Sequence, residues 1–241
     1  MEGGYTMGAW IDTAFRGIDL SVFEIMHRWA MAAGESAGAE ITSFLTQLMR
    51  FISFFAHDGL CMFALGGFLM LFRRTRRAGM CVFFAVCCGG LITNITVKPL
   101  VGRVRPYANM EHLGTQVHEW WVAVGEARKA KSIIGSFPSG HTTSATAAMV
   151  GLFMTTRKKY TWPVLIFPIL MGISRIYLMV HYTSDVLAGL IAGTLGAIGA
   201  YFLTKLFWHL INKHADTPFC RFILSFDLIE LCRRLFTKKT A

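Results

Sequence analysis

Residues 78–97 read AGMCVFFAVCCGGLITNITV, a run without a charged side chain. An α-helix rises about 1.5 Å per residue, so a run of this length covers the roughly 30 Å hydrocarbon core of a bilayer. The basic segment KPLVGRVRP follows directly at 98–106. The stretch therefore predicts a membrane-spanning helix that ends in a cluster of cations at one face of the membrane.

The composition of the whole chain also favours a membrane protein. Of its 241 residues, 54% are apolar or aromatic and only 16% are charged, against roughly 25% in a soluble domain. This balance excludes a disordered, collagen-like or coiled-coil protein. The net charge of +10 fits either a membrane protein with basic loops or a nucleic-acid binder. Because the charges are divided among short loops and no nucleic-acid motif is present, we expect no nucleic acid partner.

Five apolar segments predict an all-α fold, a polytopic membrane helix bundle. Spans A to E are predicted at Phe51–Phe72, Ala78–Val97, Thr142–Thr156, Tyr160–Val180 and Val186–Leu206. Ahead of them, apolar residues recur at helical spacing, which predicts an amphipathic helix on the membrane surface or, as the alternative, a sixth span. These apolar residues are Phe15, Ile18, Val22, Ile25 and Trp29.

The same patterns divide the chain into three regions. Residues 1–50 form an amphipathic N-terminal region, 51–210 a membrane core, and 211–241 a basic amphipathic cytoplasmic tail. Met1–Tyr5 lacks the basic start of a signal peptide. The six cysteines have neither a disulfide framework nor metal-ligand spacing, so we interpret them as buried apolar residues.

Short basic loops predict the orientation in the membrane. Arg73–Arg77 joins spans A and B, and Arg157–Lys159 joins spans C and D. Dense basic residues in short loops stay in the cytoplasm. There the Arg73–Arg77 loop and the basic tail would bind anionic lipids of the inner leaflet. The B–C loop and the D–E junction then share the outer face. We expect a plasma membrane protein, in a bacterial inner membrane, with its site on the extracytoplasmic side.

Three polar clusters lie on this predicted outer face. They are Lys98–Pro106, Ser136–His141 and Ser174–Asp185. Asp185 follows His181 by four residues, so one helical turn would let the carboxylate fix the imidazole tautomer. Ser139 and Gly140 precede a predicted helix start, where backbone N–H groups favour an anion. The clusters also contain three cations and two histidines, which are Lys98, Arg105, Arg175, His141 and His181. Together they indicate a phosphoryl site in which the histidines supply a nucleophile and a general acid.

Each of these residues also has an ordinary structural explanation. Lys98 and Arg105 could be interfacial anchors, and Arg175 could extend its charged head to the lipid headgroups. Asp185 could cap span E, and the two histidines could be a helix cap and a satisfied polar residue. The joint occurrence of all of them, in order and on one face, favours the functional interpretation.

The three clusters together resemble the signature of the type 2 phosphatidic acid phosphatase family, which shares its site with vanadium haloperoxidases and soluble class A bacterial acid phosphatases. The signature consists of Lys-x6-Arg-Pro, Pro-Ser-Gly-His and Ser-Arg-x5-His-x3-Asp. All three motifs occur with the family spacing, at Lys98–Pro106, Pro138–His141 and Ser174–Asp185. The resemblance extends from span A to span E and leaves out the N-terminal region and the tail.

The resemblance implies a role for each matching residue. His181 would attack phosphorus and form a phosphohistidine, Asp185 would orient it, and His141 would protonate the leaving oxygen and then activate water. The groups that would hold the substrate phosphate are Lys98, Arg105, Ser139, Gly140 and Arg175. Because three cations neutralise the phosphoryl charge, we expect no metal and no other cofactor.

The implied function is that of a metal-independent integral membrane phosphatase. Its substrate would be a lipid phosphomonoester or pyrophosphate of the polyprenyl pyrophosphate, phosphatidate or phosphatidylglycerophosphate type. A lipid phosphotransferase is the first alternative, since its first half-reaction is identical. A non-catalytic binding or transport protein on the same scaffold is another, and the predicted spans disfavour a haloperoxidase. The partners are a lipid phosphate and the bilayer, and the oligomeric state is left open.

Three further expectations concern residues outside the motifs. The long segment Tyr107–Ile134 contains Trp120 and Trp121, which predict either interfacial anchors or a lid that guides a lipid chain. Asp58 would contact the site or a polar helix neighbour. Arg103 is expected near the phosphate, although it is not part of the motif.

Overall fold

The computed structural model describes residues 6–32, 44–56, 59–109 and 133–237, without the side chains of 235–237. The α-helices are α1 Met7–Ala32, α2 Phe44–Phe54, α3 Leu60–Met70, α4 Arg76–Gly90, α5 Lys98–Val101, α6 Gly140–Thr155, α7 Lys158–Thr161, α8 Ile166–Tyr177, α9 Thr183–Lys213, α10 Pro218–Ser225 and α11 Leu228–Thr237. The predicted roles of Asp58, Trp120 and Trp121 concern residues outside these ranges.

The helices pack around a central group of three. Helices α4, α6 and α9 contact one another extensively, and α3 packs on α4, α8 on α6, and α2 on α8. Glycine permits the closest of these contacts. A Cβ atom at Gly193 would lie 2.6 Å from the carbonyl oxygen of Thr143, and one at Gly189 would lie 2.9 Å from that of Ser139. Small residues at this spacing let helix backbones approach closely, so the first turn of α9 lies directly against the start of α6.

Within the described residues, two helical segments are long and apolar enough to cross a membrane. Helix α4 continues through a π-helical segment, Leu91–Val97, into α5. The resulting 26-residue helix, Arg76–Val101, contains an 18-residue stretch with a mean hydropathy of 2.0, and the 31-residue α9 contains one with a mean hydropathy of 1.9. Spans B and E are thus confirmed as long apolar helices. The number of spans stays a prediction.

Spans A and D are not the continuous helices that were predicted. Over Phe51–Phe72, α2 ends at Phe54 and α3 begins at Leu60. Gly59 has a φ of 73°, a left-handed conformation that suits glycine and interrupts a helix. Over Tyr160–Val180, a 3-10 turn at 162–165 separates α7 from α8, because Pro163 cannot donate a helical hydrogen bond.

The N-terminal region forms a long helix, as predicted, and most of its apolar stripe lies on the side that α1 leaves exposed. Four of the stripe residues are 39% to 48% exposed, namely Phe15, Ile18, Ile25 and Trp29. The buried side includes Phe23, Met26 and the carboxylate of Asp19, and it packs on α8 and α9. Periodicity identified the helix, whereas the buried side depends on a charged partner elsewhere in the chain.

The tail helices dock beside the loop between α3 and α4 through backbone hydrogen bonds, Leu228 N–H to the carbonyl oxygen of Leu71 and Arg73 N–H to the carboxylate of Asp227, and through one buried arginine. Arg76 is buried, and its Nε donates a 2.9 Å hydrogen bond to the carbonyl oxygen of Met70. Its other guanidinium nitrogens donate to the carbonyl oxygens of Ile223 and Phe226. The expectation that the whole Arg73–Arg77 loop serves anionic lipids is therefore wrong for Arg76, which anchors the tail instead.

Candidate active site

A cavity of about 580 Å³ lies where the C-terminal end of the α4–α5 helix meets the start of α6. Its polar wall contains six of the eight predicted site residues, which are Lys98, Arg105, Gly140, His141, Arg175 and His181. The apolar residues of the cavity lining include Phe63, Val86, Leu91 and Ile95. The sequence motifs, separated by up to 83 positions between Lys98 and His181, thus converge on one space.

Lys98 and Gly140 bring a cation to a helix N-terminus. Lys98 begins α5 directly after the π-helical segment, and Gly140 begins α6. A Cβ atom at Gly140 would lie 3.3 Å from Nζ of Lys98 and 3.6 Å from Oδ1 of Asn94. The absence of a side chain at position 140 therefore leaves room for the ammonium group beside the N-terminal N–H groups of α6. Both features attract an anion to the same place.

Two arginines complete the positive wall. Nη1 of Arg105 donates to the carbonyl oxygen of Val180 at 3.3 Å, while its Nε is buried without an acceptor among the described residues. Arg175 is buried in the last turn of α8 and donates to the hydroxyl of Ser53. The alternative that Arg175 extends to the lipid headgroups is therefore wrong. No carboxylate is among the described residues of the wall, so its cations favour an anionic occupant.

The two histidines face the same cavity. His141 is the second residue of α6, and His181 lies in the turn between α8 and α9, where it is almost fully buried. Burial lowers the pKa of His181 well below its usual value, and the nearby charges of Arg105, Arg175 and Lys98 lower it further. The imidazole of His181 is therefore neutral at neutral pH, the form that can act as a nucleophile.

Asp185 lies behind His181 rather than in the cavity wall. Its Oδ2 atom is 3.4 Å from Nδ1 of His181, at the outer limit of a hydrogen bond. The same oxygen accepts hydrogen bonds from the backbone N–H of Tyr182 at 3.0 Å and from the hydroxyl of Ser136. Asp185 thus caps α9, whereas its support of His181 stays a prediction, because Nδ1 of His181 has no hydrogen-bond partner among the described residues.

Ser139 is positioned by its role as a helix cap. Its side chain is fully buried, and its Oγ accepts hydrogen bonds from the backbone N–H of Thr142 at 3.5 Å and from the Thr142 hydroxyl at 3.0 Å. The Ser139 backbone N–H donates to the carbonyl oxygen of Asp185 at 3.0 Å. Ser139 is not among the residues of the cavity wall, so a direct contact between its hydroxyl and a phosphate stays a prediction.

Arg103 does not reach the cavity, contrary to expectation. It is fully buried and binds Oδ1 of Asp185 through Nη1 at 2.6 Å, on the other oxygen from the one near His181. Its remaining nitrogens bind Asp12 and Asp19 of α1. The sequence interpretation missed these two carboxylates. Their separation of seven residues, which places both on one helix face, was the available signal.

The comparisons with known proteins agree with this geometry. The model of the PAP2 superfamily matches residues 78–209, a range that includes all three motifs. The chain belongs to the PAP2 superfamily. The resemblance drawn from the motifs is thereby confirmed, and helix α1 and the tail helices lie outside the matched range.

Two PAP2 relatives are similar in sequence. The lipid A 1-phosphatase of Rhizobium johnstonii is 32% identical over 124 residues, which is 52% of this chain and 44% of that protein. The undecaprenyl-diphosphatase BcrC of Bacillus subtilis is 41% identical over 81 residues, 34% of this chain and 39% of that protein. The chain thus spans about two fifths of the length of these curated relatives.

One solved PAP2-like structure shares the fold. The crystal structure of Aquifex aeolicus LpxE superimposes with a TM-score of 0.56 at 20% identity, covering 76% of this chain and 94% of that one. At this identity the likeness concerns the arrangement of helices alone.

Proposed function

We propose that this PAP2 protein is an integral membrane phosphatase that hydrolyses a lipid phosphate or pyrophosphate. The observation that carries the proposal is the cavity, which is lined by three cations, two histidines and several apolar side chains. The cations suit a charged phosphoryl group, and the apolar side chains suit a lipid chain. The names of the two sequence relatives, a lipid A 1-phosphatase and an undecaprenyl-diphosphatase, support this substrate class.

The proposed reaction has two steps. His181 attacks phosphorus, forming a P–N bond as the P–O bond to the leaving group breaks, and His141 donates a proton to the departing oxygen. His141 then accepts a proton from water, whose oxygen attacks phosphorus and releases His181 with free phosphate. In both steps the charge on the phosphoryl oxygens would be neutralised by the surrounding cations. These cations are Lys98, Arg105 and Arg175.

The proposed location is a membrane with the site on its extracytoplasmic face. Helices Arg76–Val101 and Thr183–Lys213 have the length and hydropathy of spans. The cavity lies at the C-terminal end of the first and the N-terminal end of the second, whereas the basic Arg73–Arg77 loop is at the opposite end. Since dense basic loops stay in the cytoplasm, this separation supports an outward-facing site.

A panel of substrates tests the proposed function. Purified protein would be offered lipid A 1-phosphate, undecaprenyl diphosphate, phosphatidate and phosphatidylglycerophosphate, with released inorganic phosphate measured beside His181→Ala. The matched control is His209→Ala, because His209 is exposed on α9. We expect release by the wild type and the control, and none by His181→Ala.

The same assay separates the alternatives. A phosphotransferase would remove the phosphoryl group from the lipid and attach it to an acceptor other than water. Recovery of the whole phosphoryl group as free phosphate supports hydrolysis. A non-catalytic binding protein would retain the lipid without releasing phosphate. Absence of release from every substrate would reject the phosphatase proposal.

A further inference from the structure

Arg103 is the centre of a buried ionic cluster that the proposed reaction steps do not use. Its side chain is fully buried, and three nitrogens each bind a different carboxylate. Nε lies 2.7 Å from Asp12, Nη2 lies 2.8 Å from Asp19, and Nη1 lies 2.6 Å from Asp185. The guanidinium carbon is also 3.8 Å from the ring centroid of Tyr182. Because a guanidinium is a rigid planar fork, these contacts fix Arg103 in one orientation.

Helix α1 supplies two of these carboxylates from outside the residues that the PAP2 model matches. Asp19 is fully buried, and beyond Arg103 it accepts hydrogen bonds from the backbone N–H of Ser184 at 2.9 Å and from the Ser184 hydroxyl at 2.8 Å. It therefore caps the first turn of α9 from a distant part of the chain. Helix α1 comes this close to Arg103 because Gly8 has no side chain. A Cβ atom at position 8 would lie only 2.9 Å from Cα of Arg103.

The cluster determines where the Asp185 carboxylate points. Arg103 holds Oδ1, and the Tyr182 backbone N–H with the Ser136 hydroxyl holds Oδ2. The distance to His181, 3.4 Å, is the longest of these contacts. The Asp185 side chain is thus oriented by partners on the side away from the cavity. Loss of Arg103 would leave its buried carboxylate without a charged partner, which is unfavourable, so we expect the carboxylate to move.

We propose that Asp19 and Arg103 are positioning residues for phosphoryl transfer, through which helix α1 holds Asp185 in place against His181. The inference rests on the proposed phosphatase function and deepens it. It makes the N-terminal helix a part of the active-site support rather than a peripheral membrane anchor. Among the described residues, the carboxylate of Asp19 binds Arg103 and Ser184 and none of the cations proposed to hold the phosphate. Loss of this carboxylate should therefore lower turnover more than substrate binding.

The test compares Asp19→Asn with Glu24→Gln, a matched change of charge on the exposed side of the same helix. For folded protein, we expect Asp19→Asn to lower kcat by roughly ten- to a hundredfold, as the loss of supporting partners does at other sites. KM should stay within about twofold, because the binding cations are intact. Glu24→Gln should retain wild-type kcat. A merely structural role would lower the folded fraction or Tm without changing kcat per folded molecule.

Two further variants complete the test. Arg103→Lys keeps the positive charge but loses the planar guanidinium that binds three carboxylates. If both residues act through Asp185, the double variant with Asp19→Asn should lose less kcat than the two single losses combined. If Asp19→Asn does not fold, Asp12→Asn decides in its place, because the Asp12 side chain is 17% exposed and contacts Nε of Arg103. Wild-type kcat in the folded aspartate variant would overturn the inference. Absence of phosphate release by the wild type would instead reject the function beneath it, so the two failures are distinguishable.

Discussion

At the scale of the residue, the site depends on a histidine kept neutral among cations. His181 is almost fully buried, and Lys98, Arg105 and Arg175 act on it from the cavity wall. These positive charges oppose protonation of the imidazole. His181 therefore stays neutral and retains the lone pair that a nucleophile needs. The same cations would bind the phosphoryl group, and one set of charges thereby serves both binding and activation.

The first prediction concerns the ionisation of His181. Its pKa lies well below the usual value because of burial and the three cations. The unfolded chain takes up a proton near pH 6.5 that folded His181 does not, so the contribution of this group to stability falls as pH drops below about 6.5. NMR of histidine-labelled protein, with His181→Asn for assignment, should show no His181 titration at pH 6.5. A midpoint at or above that value would contradict the account.

The second prediction concerns Gly140. A methyl group there would meet Nζ of Lys98 at 3.3 Å, and the flexible lysine would move rather than the helix. We expect Gly140→Ala to fold normally and to lose about tenfold in kcat/KM, since small misplacements of catalytic groups are costly. Gly199→Ala is the control, because nothing lies within 4 Å of a Cβ atom at position 199. Equal kcat/KM for both variants would show that the ammonium position is unimportant.

At the scale of the element, the sequence predicted what depends on local pattern. The uncharged run at 78–97 and the segment after Val186 became the long helices, and the three motifs met in one cavity. The side of α1 that packs on the protein was not predicted, because it depends on the pairing of Asp19 with Arg103, 84 positions away. Hydrophobic periodicity cannot identify such a partner, and a bilayer offers apolar surroundings to either side of a helix.

The third prediction concerns the anchor of the tail helices. Arg76→Met would leave the carbonyl oxygens of Met70, Ile223 and Phe226 without their donor. Each such loss costs about 1–3 kcal/mol where the group is buried, so Tm should fall and the tail should become sensitive to protease. Arg77→Met, at an exposed position in the same turn, should leave both unchanged. An unaltered Tm in Arg76→Met would mean that the tail is held by other contacts.

At the scale of the whole molecule, positive charge is gathered at two opposite ends. One group is the Arg73–Arg77 loop with the basic tail, and the other is the cavity wall. The net charge of +10 could not reveal this division, since composition carries no positions. The spacing of the motifs predicted which cations line the cavity, and the density of the short loops predicts which end faces the cytoplasm.

The fourth prediction concerns this orientation. In a variant whose only cysteine is Cys232, exposed on α11, a membrane-impermeant maleimide should label the protein only after cells are permeabilised. A matched variant that instead carries Ile133→Cys, at an exposed position whose carbonyl oxygen accepts from the backbone N–H of Arg105, should be labelled in intact cells. The reverse pattern would place the site on the cytoplasmic face.

The central claim, that His181 carries the phosphoryl group, is tested most directly by trapping it. The aryloxide of an activated aryl phosphate departs without protonation, so His141→Asn should transfer the phosphoryl group to His181 and then stall for lack of a base. Mass spectrometry after an alkaline quench should find a phosphoryl group on His181 in that variant and none in the His181→Ala, His141→Asn double variant. Turnover of the aryl phosphate by the wild type, with no phosphorylated His181 in His141→Asn at any reaction time, would contradict the account.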